Sequence, residues 1–210
     1  MRAHPARRAA DQGRVLRAPP RCLPRAHPVP RGPHHPHPPG CVLRVTVAGR
    51  APCALPPLRA AIRAALRPIG LPRETEVSLA FVDDATQRGL NRRHRRIDRT
   101  TDVLSFGQRL PRRARGPEAA RHLVPDPDGV LRLGDIVVSS EQAARQARRG
   151  GRRLADEVAL LVAHGALHLV GYEDETAGGY REMVRLGKLA VRQKMVKTMK
   201  RRARPGVRRP

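Results

Sequence analysis

Residues 154–175 read L-A-D-E-V-A-L-L-V-A-H-G-A-L-H-L-V-G-Y-E-D-E. The apolar side chains Val158, Leu160, Leu161, Val162, Leu167 and Leu169 predict a long, mostly buried helix from about Leu154 to Val170. Gly171 stops it, because glycine takes the left-handed conformation that reverses a chain at a helix end. His164 and His168 stand four apart, so both imidazoles project from nearly the same helical face. Asp174 follows six residues after His168 and can fold back through the glycine turn towards them. Two helical histidines and a carboxylate after the turn make three ligands with one position open for water. Catalytic zinc needs that arrangement.

A histidine pair at this spacing is more often simply packed or solvated. The glycine stop and the acid beyond it shift the reading towards a metal, which also gives two neutral imidazoles on an apolar helix the partners they require. Glu173 and Glu175 flank Asp174 and read as solvated loop acids. The nearest mechanical relative is the H-E-x-x-H-x-x-G-x-x-H/D peptidase helix, but Gly165 stands where that motif has its general base. A metallopeptidase is therefore a minor alternative.

Outward from this helix, Leu43, Val45 and Val47 alternate with polar residues and predict a strand. Pro57 opens a helix with Leu58, Ile62, Ala65 and Leu66 on one face, and Val77, Leu79 and Phe81 mark a second strand. Asp83 or Asp84 caps a helix to about Arg95, and Thr101–Phe106 reads as a third strand. A loop runs from Gly107 to Gly129, then Leu131–Val138 forms a fourth strand. Ser139 or Ser140 with Glu141 starts a helix ending at Gly150–Gly151, and a last helix begins near Thr176 and enters a basic tail. This order predicts an α+β fold: a single domain with a roughly four-stranded mixed sheet packed with helices. With 40% hydrophobic and only 2% aromatic residues, its core is aliphatic.

The globular pattern covers residues 41–195, and residues 196–210 form a basic tail. Residues 1–40 hold ten of the 21 prolines, five of the nine histidines and eight arginines against one Asp. That composition cannot bury enough apolar surface to fold, so a disordered extension is expected. His34, His35 and His37 lie there without fixed geometry and do not read as a metal site. The stretch is Arg-rich and acid-poor like a transit peptide, yet has no Ser. Met1 is the only methionine before Met183, so a start nearer Val42 would use a non-Met codon; intact mass of the native protein beginning at Met1 would rule that out.

The net charge of +25 implies a polyanionic partner, nucleic acid or an acidic membrane surface. The preference for Arg over Lys fits a GC-rich genome, which does not alter the sign. Cys22, Cys41 and Cys53 offer neither a disulfide framework nor a thiolate zinc site, consistent with a reducing cytosol. No apolar run approaches the roughly 18–20 residues of a membrane span.

The motif H-G-A-L-H-L-V-G-Y at 164–172 resembles the YbeY-type rRNA maturation endoribonucleases. So do L-N-R-R-H-R-R-I-D-R-T-T-D-V-L-S-F at 90–106 and L-G-D-I-V-V at 133–138, in the same order. The resemblance implies a zinc-dependent, single-strand-preferring endoribonuclease acting in 16S rRNA maturation and ribosome quality control. It implies one Zn2+ per chain, rRNA and the small ribosomal subunit as partners, a cytoplasmic setting, and neither DNA nor membrane. Position by position, His164 and His168 fall on the first two metal ligands and Asp174 on the third, while Arg95 matches the functional arginine of a Tyr-Arg block.

The departures are specific. Asp174 stands where the family usually has histidine, His94 replaces tyrosine, and Thr100 and Gly107 replace prolines. A carboxylate lowers the site's charge by one relative to imidazole and should raise the pKa of bound water somewhat. The expected chemistry is metal-assisted phosphodiester hydrolysis, with Arg95 neutralising charge on the phosphorane. The other reading is a catalytically weak rRNA-binding protein with a structural metal.

Overall fold

The computed structural model describes residues 15–17, 42–72 and 74–202. Strand β1 is Val15–Arg17, β2 Val42–Ala48, β3 Glu74–Val82, β4 Val103–Gly107 and β5 Leu131–Ser139. Helices are α1 Leu55–Leu66, α2 Asp84–Arg95, α3 Pro117–Ala120, α4 Ser140–Arg149, α5 Leu154–Leu169 and α6 Ala177–Arg202. The five strands form one sheet in the order β1-β4-β5-β3-β2. β2, β3 and β5 run parallel, β4 is antiparallel to β5, and β1 is parallel to β4.

The four strands expected from alternation are all present, and the mixed α+β architecture stands. Three differences arise where local pattern carries no signal. The loop after β4 contains the short α3, where Pro117 sets the first turn behind Gly116. Helix α1 starts at Leu55, two residues before Pro57, because proline is tolerated throughout a first turn. Within the stretch read from composition as a disordered extension, residues 15–17 form a fifth strand on the outer edge of β4. A bare edge presents unpaired N–H and C=O groups, and any extended segment within reach can satisfy them. The rest of residues 1–40, including His34, His35 and His37, lies outside the described residues, as does the basic tail beyond Arg202. Within the described residues no helix is long and apolar enough to cross a membrane.

The core is aliphatic as expected. Leu58, Ile62, Leu79, Leu104, Leu131, Ile136 and Leu167 are fully buried. Helix α5 packs on α1, α4 and α6 and lies over β4 and β5. Asp83 caps α2 by accepting from the Thr86 N–H at 2.7 Å, and Ser139 caps α4 by accepting from Gln142 at 3.1 Å. At the opposite end of the sheet from Gly107, buried and partly buried polar groups tie the elements together. Asp84 accepts from Ser139 Oγ at 2.6 Å and pairs with Arg145, while Asp102 accepts from Gln146 at 2.8 Å.

The closest approach is at Gly165. A Cβ there would lie 2.8 Å from Ile136 Cγ2 and 3.0 Å from Ser105 Oγ, so only glycine lets α5 settle this deeply on the sheet. Ser105 Oγ donates to the Gly165 carbonyl at 3.1 Å and fixes the helix's rotation. Gly165→Ala is expected to lower the unfolding free energy by about 1–3 kcal/mol despite alanine's better helix propensity. Gly89→Ala on α2, where a Cβ meets nothing within 4 Å, should raise it by about 0.5–1 kcal/mol. Urea unfolding of the two variants checks the contrast in sign.

Candidate metal centre

With Gly165 against the sheet, His164 and His168 lie about 100° and 60° round the helix from it, on the same side. Both are therefore directed away from the core contact and towards the Gly171 turn. Gly171 adopts φ 84°, and a side chain there would collide with the Ala114 carbonyl. The loop before α3 closes on this turn, with the Gly116 N–H donating to the Val170 carbonyl at 2.8 Å. Asp174 is thereby carried back to the histidines.

The structure brings the three expected residues together. One ligand atom from each of His164, His168 and Asp174 lies within 4.8 Å of the other two. His164 Nε2 is 3.1 Å from His168 Nε2 and 3.5 Å from Asp174 Oδ2. Pairs of ligand atoms around a tetrahedral zinc are separated by about 3.3 Å, so the donors already sit near metal-binding spacing. Of the three neighbouring acids only Asp174 is buried; Glu173 and Glu175 are exposed, in keeping with their reading as loop acids.

Two features show that these residues fit a cation. The His168 Nδ1 lies 2.8 Å from the Tyr172 carbonyl, which can only accept, so Nδ1 carries the proton and Nε2 presents its lone pair. Asp174 Oδ2 is buried without a hydrogen-bond partner, which is costly for a carboxylate oxygen and is relieved by a bound cation. Burial, helped by neighbouring His164, pushes the His168 pKa down to about 3; Asp174 and the Tyr172 carbonyl oppose the shift. His168 is thus a neutral imidazole at physiological pH, the form that ligates metal.

Arg95 is the last residue of α2, half-buried, and its positive charge is among those that depress His168. The chain then turns at Arg96 in a left-handed conformation, φ 60°, held by buried Asn91, whose Nδ2 donates to the Arg99 carbonyl at 2.8 Å. His94 stacks edge-on against Phe106, centroids 4.9 Å apart. Sequence reasoning missed Ser105 and the Tyr172 carbonyl as supports of the site. Both act across the fold or through the backbone, and neither leaves a local pattern.

Without metal, the unfolded chain takes up a proton at His168 below about pH 6.5, whereas the folded chain refuses it until about pH 3. Stability of the metal-free protein should therefore fall with acid across that window, by up to about 1.4 kcal/mol per pH unit from this group. Urea midpoints near pH 7 and pH 5 should show a shallower loss in His168→Gln. His164→Ala should lose stoichiometric zinc, while Asp174→His should retain zinc or bind it more tightly, as measured by metal content and competitive chelator titration.

Residues 57–194 match the family model described as Endoribonuclease YbeY. An Endoribonuclease YbeY of Moorella thermoacetica is 44% identical over 126 residues, covering 60% of this chain and 77% of the relative. That of Pelotomaculum thermopropionicum is 42% identical over 118 residues, covering 56% of this chain and 71% of the relative. The solution structure of TM1509 from Thermotoga maritima aligns over 79% of this chain and all of its own, with 22% identity and a TM-score of 0.48. A match across the metal helix, the Arg95 block and the sheet between them places this chain in the endoribonuclease YbeY family.

Proposed function

We propose that this protein is a zinc-dependent endoribonuclease that prefers single-stranded RNA and serves 16S rRNA maturation and ribosome quality control in the cytoplasm, with rRNA of the small ribosomal subunit as its partner. The observation that carries the reading is the convergence of His164 Nε2, His168 Nε2 and the buried Asp174 Oδ2, which has no hydrogen bond among the described residues, in a chain of an endoribonuclease family.

His164, His168 and Asp174 would hold a cation, which would supply Lewis acidity towards a water or a phosphodiester oxygen. His168 contributes a lone pair whose direction the Tyr172 carbonyl sets, and Asp174 contributes one negative charge that would offset half that of a divalent ion. Arg95 approaches from α2 and offers a guanidinium, which is suited to bidentate contact with phosphate and to charge developing on the phosphorane. Arg92, Arg93, Arg96 and Arg99 are exposed around the same helix end and attract the polyanion, with an affinity that falls as salt rises.

The peptidase alternative loses ground on geometry. A general base following the first histidine would have to occupy position 165, and that position faces Ile136 and Ser105 with no room for a Cβ.

Purified protein incubated with single-stranded rRNA fragments should cut them, stop on addition of chelator and resume with zinc, leaving casein intact. RNA left whole under every metal tried would sink the nuclease reading. Arg95→Ala should lower kcat by about 100-fold or more, as removal of a transition-state charge partner typically does, without loss of bound metal.

A further inference from the structure

Along β4 the side chains alternate between the two faces of the sheet. Ser105 meets Gly165 of α5, and a Cβ at Gly107 would touch Leu169 of the same helix. Phe106, between them, meets His94 of α2. The metal helix and the arginine helix therefore lie on opposite faces of β4. Their ends nevertheless meet the same stretch of β4: His94, next to Arg95, lies against Phe106, and Leu169, next to His168, lies beside Gly107. β5 closes the inner side of β4, so the way round β4 from one face to the other is by its outer edge or its end at Gly107. A substrate touching both Arg95 and the metal donors passes close to that edge at residues 105–107.

Residues 15–17 occupy it. Val15 pairs with Ser105, Leu16 with Phe106 and Arg17 with Gly107, in parallel register, and the strand also touches α2. We propose that the outer edge of β4 is an acceptor for an extended peptide strand, filled here by residues 15–17 of the chain's own N-terminal extension, and that the docked strand restricts the approach of RNA to the metal centre. This inference rests on the endoribonuclease reading for its substrate, but not for the docking itself.

The energetics are those of strand addition. Main-chain hydrogen bonds hold the segment, and a three-residue pairing is short enough to release. A strand docked nine-tenths of the time would weaken apparent RNA affinity about tenfold, because only the open fraction binds.

The test uses the full chain and the double variant Val15→Pro/Leu16→Pro, which removes two strand N–H donors. Hydrogen exchange at residues 103–107 reads docking alone. Binding of a labelled single-stranded RNA oligonucleotide to the chelated protein reads access. Expected are faster exchange at 103–107 and RNA affinity raised about tenfold, both reversed by a synthetic peptide of residues 11–20 added in trans. Unchanged exchange would overturn the docking. Faster exchange with unchanged or weaker RNA affinity would overturn the restriction, and failure of the peptide to reverse the change would assign it to a proline side effect. If exchange and binding change as expected but neither protein cuts RNA when zinc is restored, the nuclease reading fails while the strand acceptor stands.

Discussion

The contact between Gly165 and the sheet sets the geometry on which the site depends. Because no side chain separates α5 from Ile136 and Ser105 at that point, the helix sits deep and its rotation is pinned by the Ser105 hydroxyl. Rotation then decides where residues one before and three after must point. His164 and His168 share a side of the helix that meets the returning Gly171 turn, and Asp174 arrives from that turn. A helix held further from the sheet would be free to roll, and the donor spacing of 3.1 and 3.5 Å would not be fixed by the fold.

The same glycine separates this centre from the peptidase arrangement it superficially matches. Both use a histidine pair at helical spacing, a glycine stop and a later ligand. The peptidase needs a carboxylic acid after the first histidine and an outward-facing position to put it in. Here that position is a packing contact against Ile136 and Ser105, with no room for such an acid. With Asp174, the centre has two imidazoles and one carboxylate. The Asp174 Oδ2 is buried without a hydrogen bond among the described residues and faces His164 Nε2 at 3.5 Å, an arrangement that a bound cation would satisfy.

What was legible in the sequence was whatever repeats locally. The period of α5, the alternation in β2, β3 and β5, the caps at Asp83 and Ser139, and the spacing of His164, His168 and Asp174 are all short-range patterns, and the structure contains them. The illegible features are long-range. Ser105 reads as one more strand residue until Gly165, sixty positions away, is seen beside it. Arg95 is indistinguishable from Arg92, Arg93 and Arg96 by composition; the family resemblance singles it out, and in the structure it alone of the four is half-buried. β1 is the clearest case. Three residues in a stretch rich in proline and arginine carry no strand signal, and the pairing exists because β4 offers an open edge.

Metal binding by this donor set is most directly tested by zinc K-edge absorption spectroscopy on untagged protein loaded with one equivalent of zinc. Expected is a shell of light donors at about 2.0 Å that includes two imidazoles, the remainder being oxygen from carboxylate and solvent. A sulfur shell at about 2.3 Å, or an imidazole count other than two, would contradict the assignment of His164, His168 and Asp174.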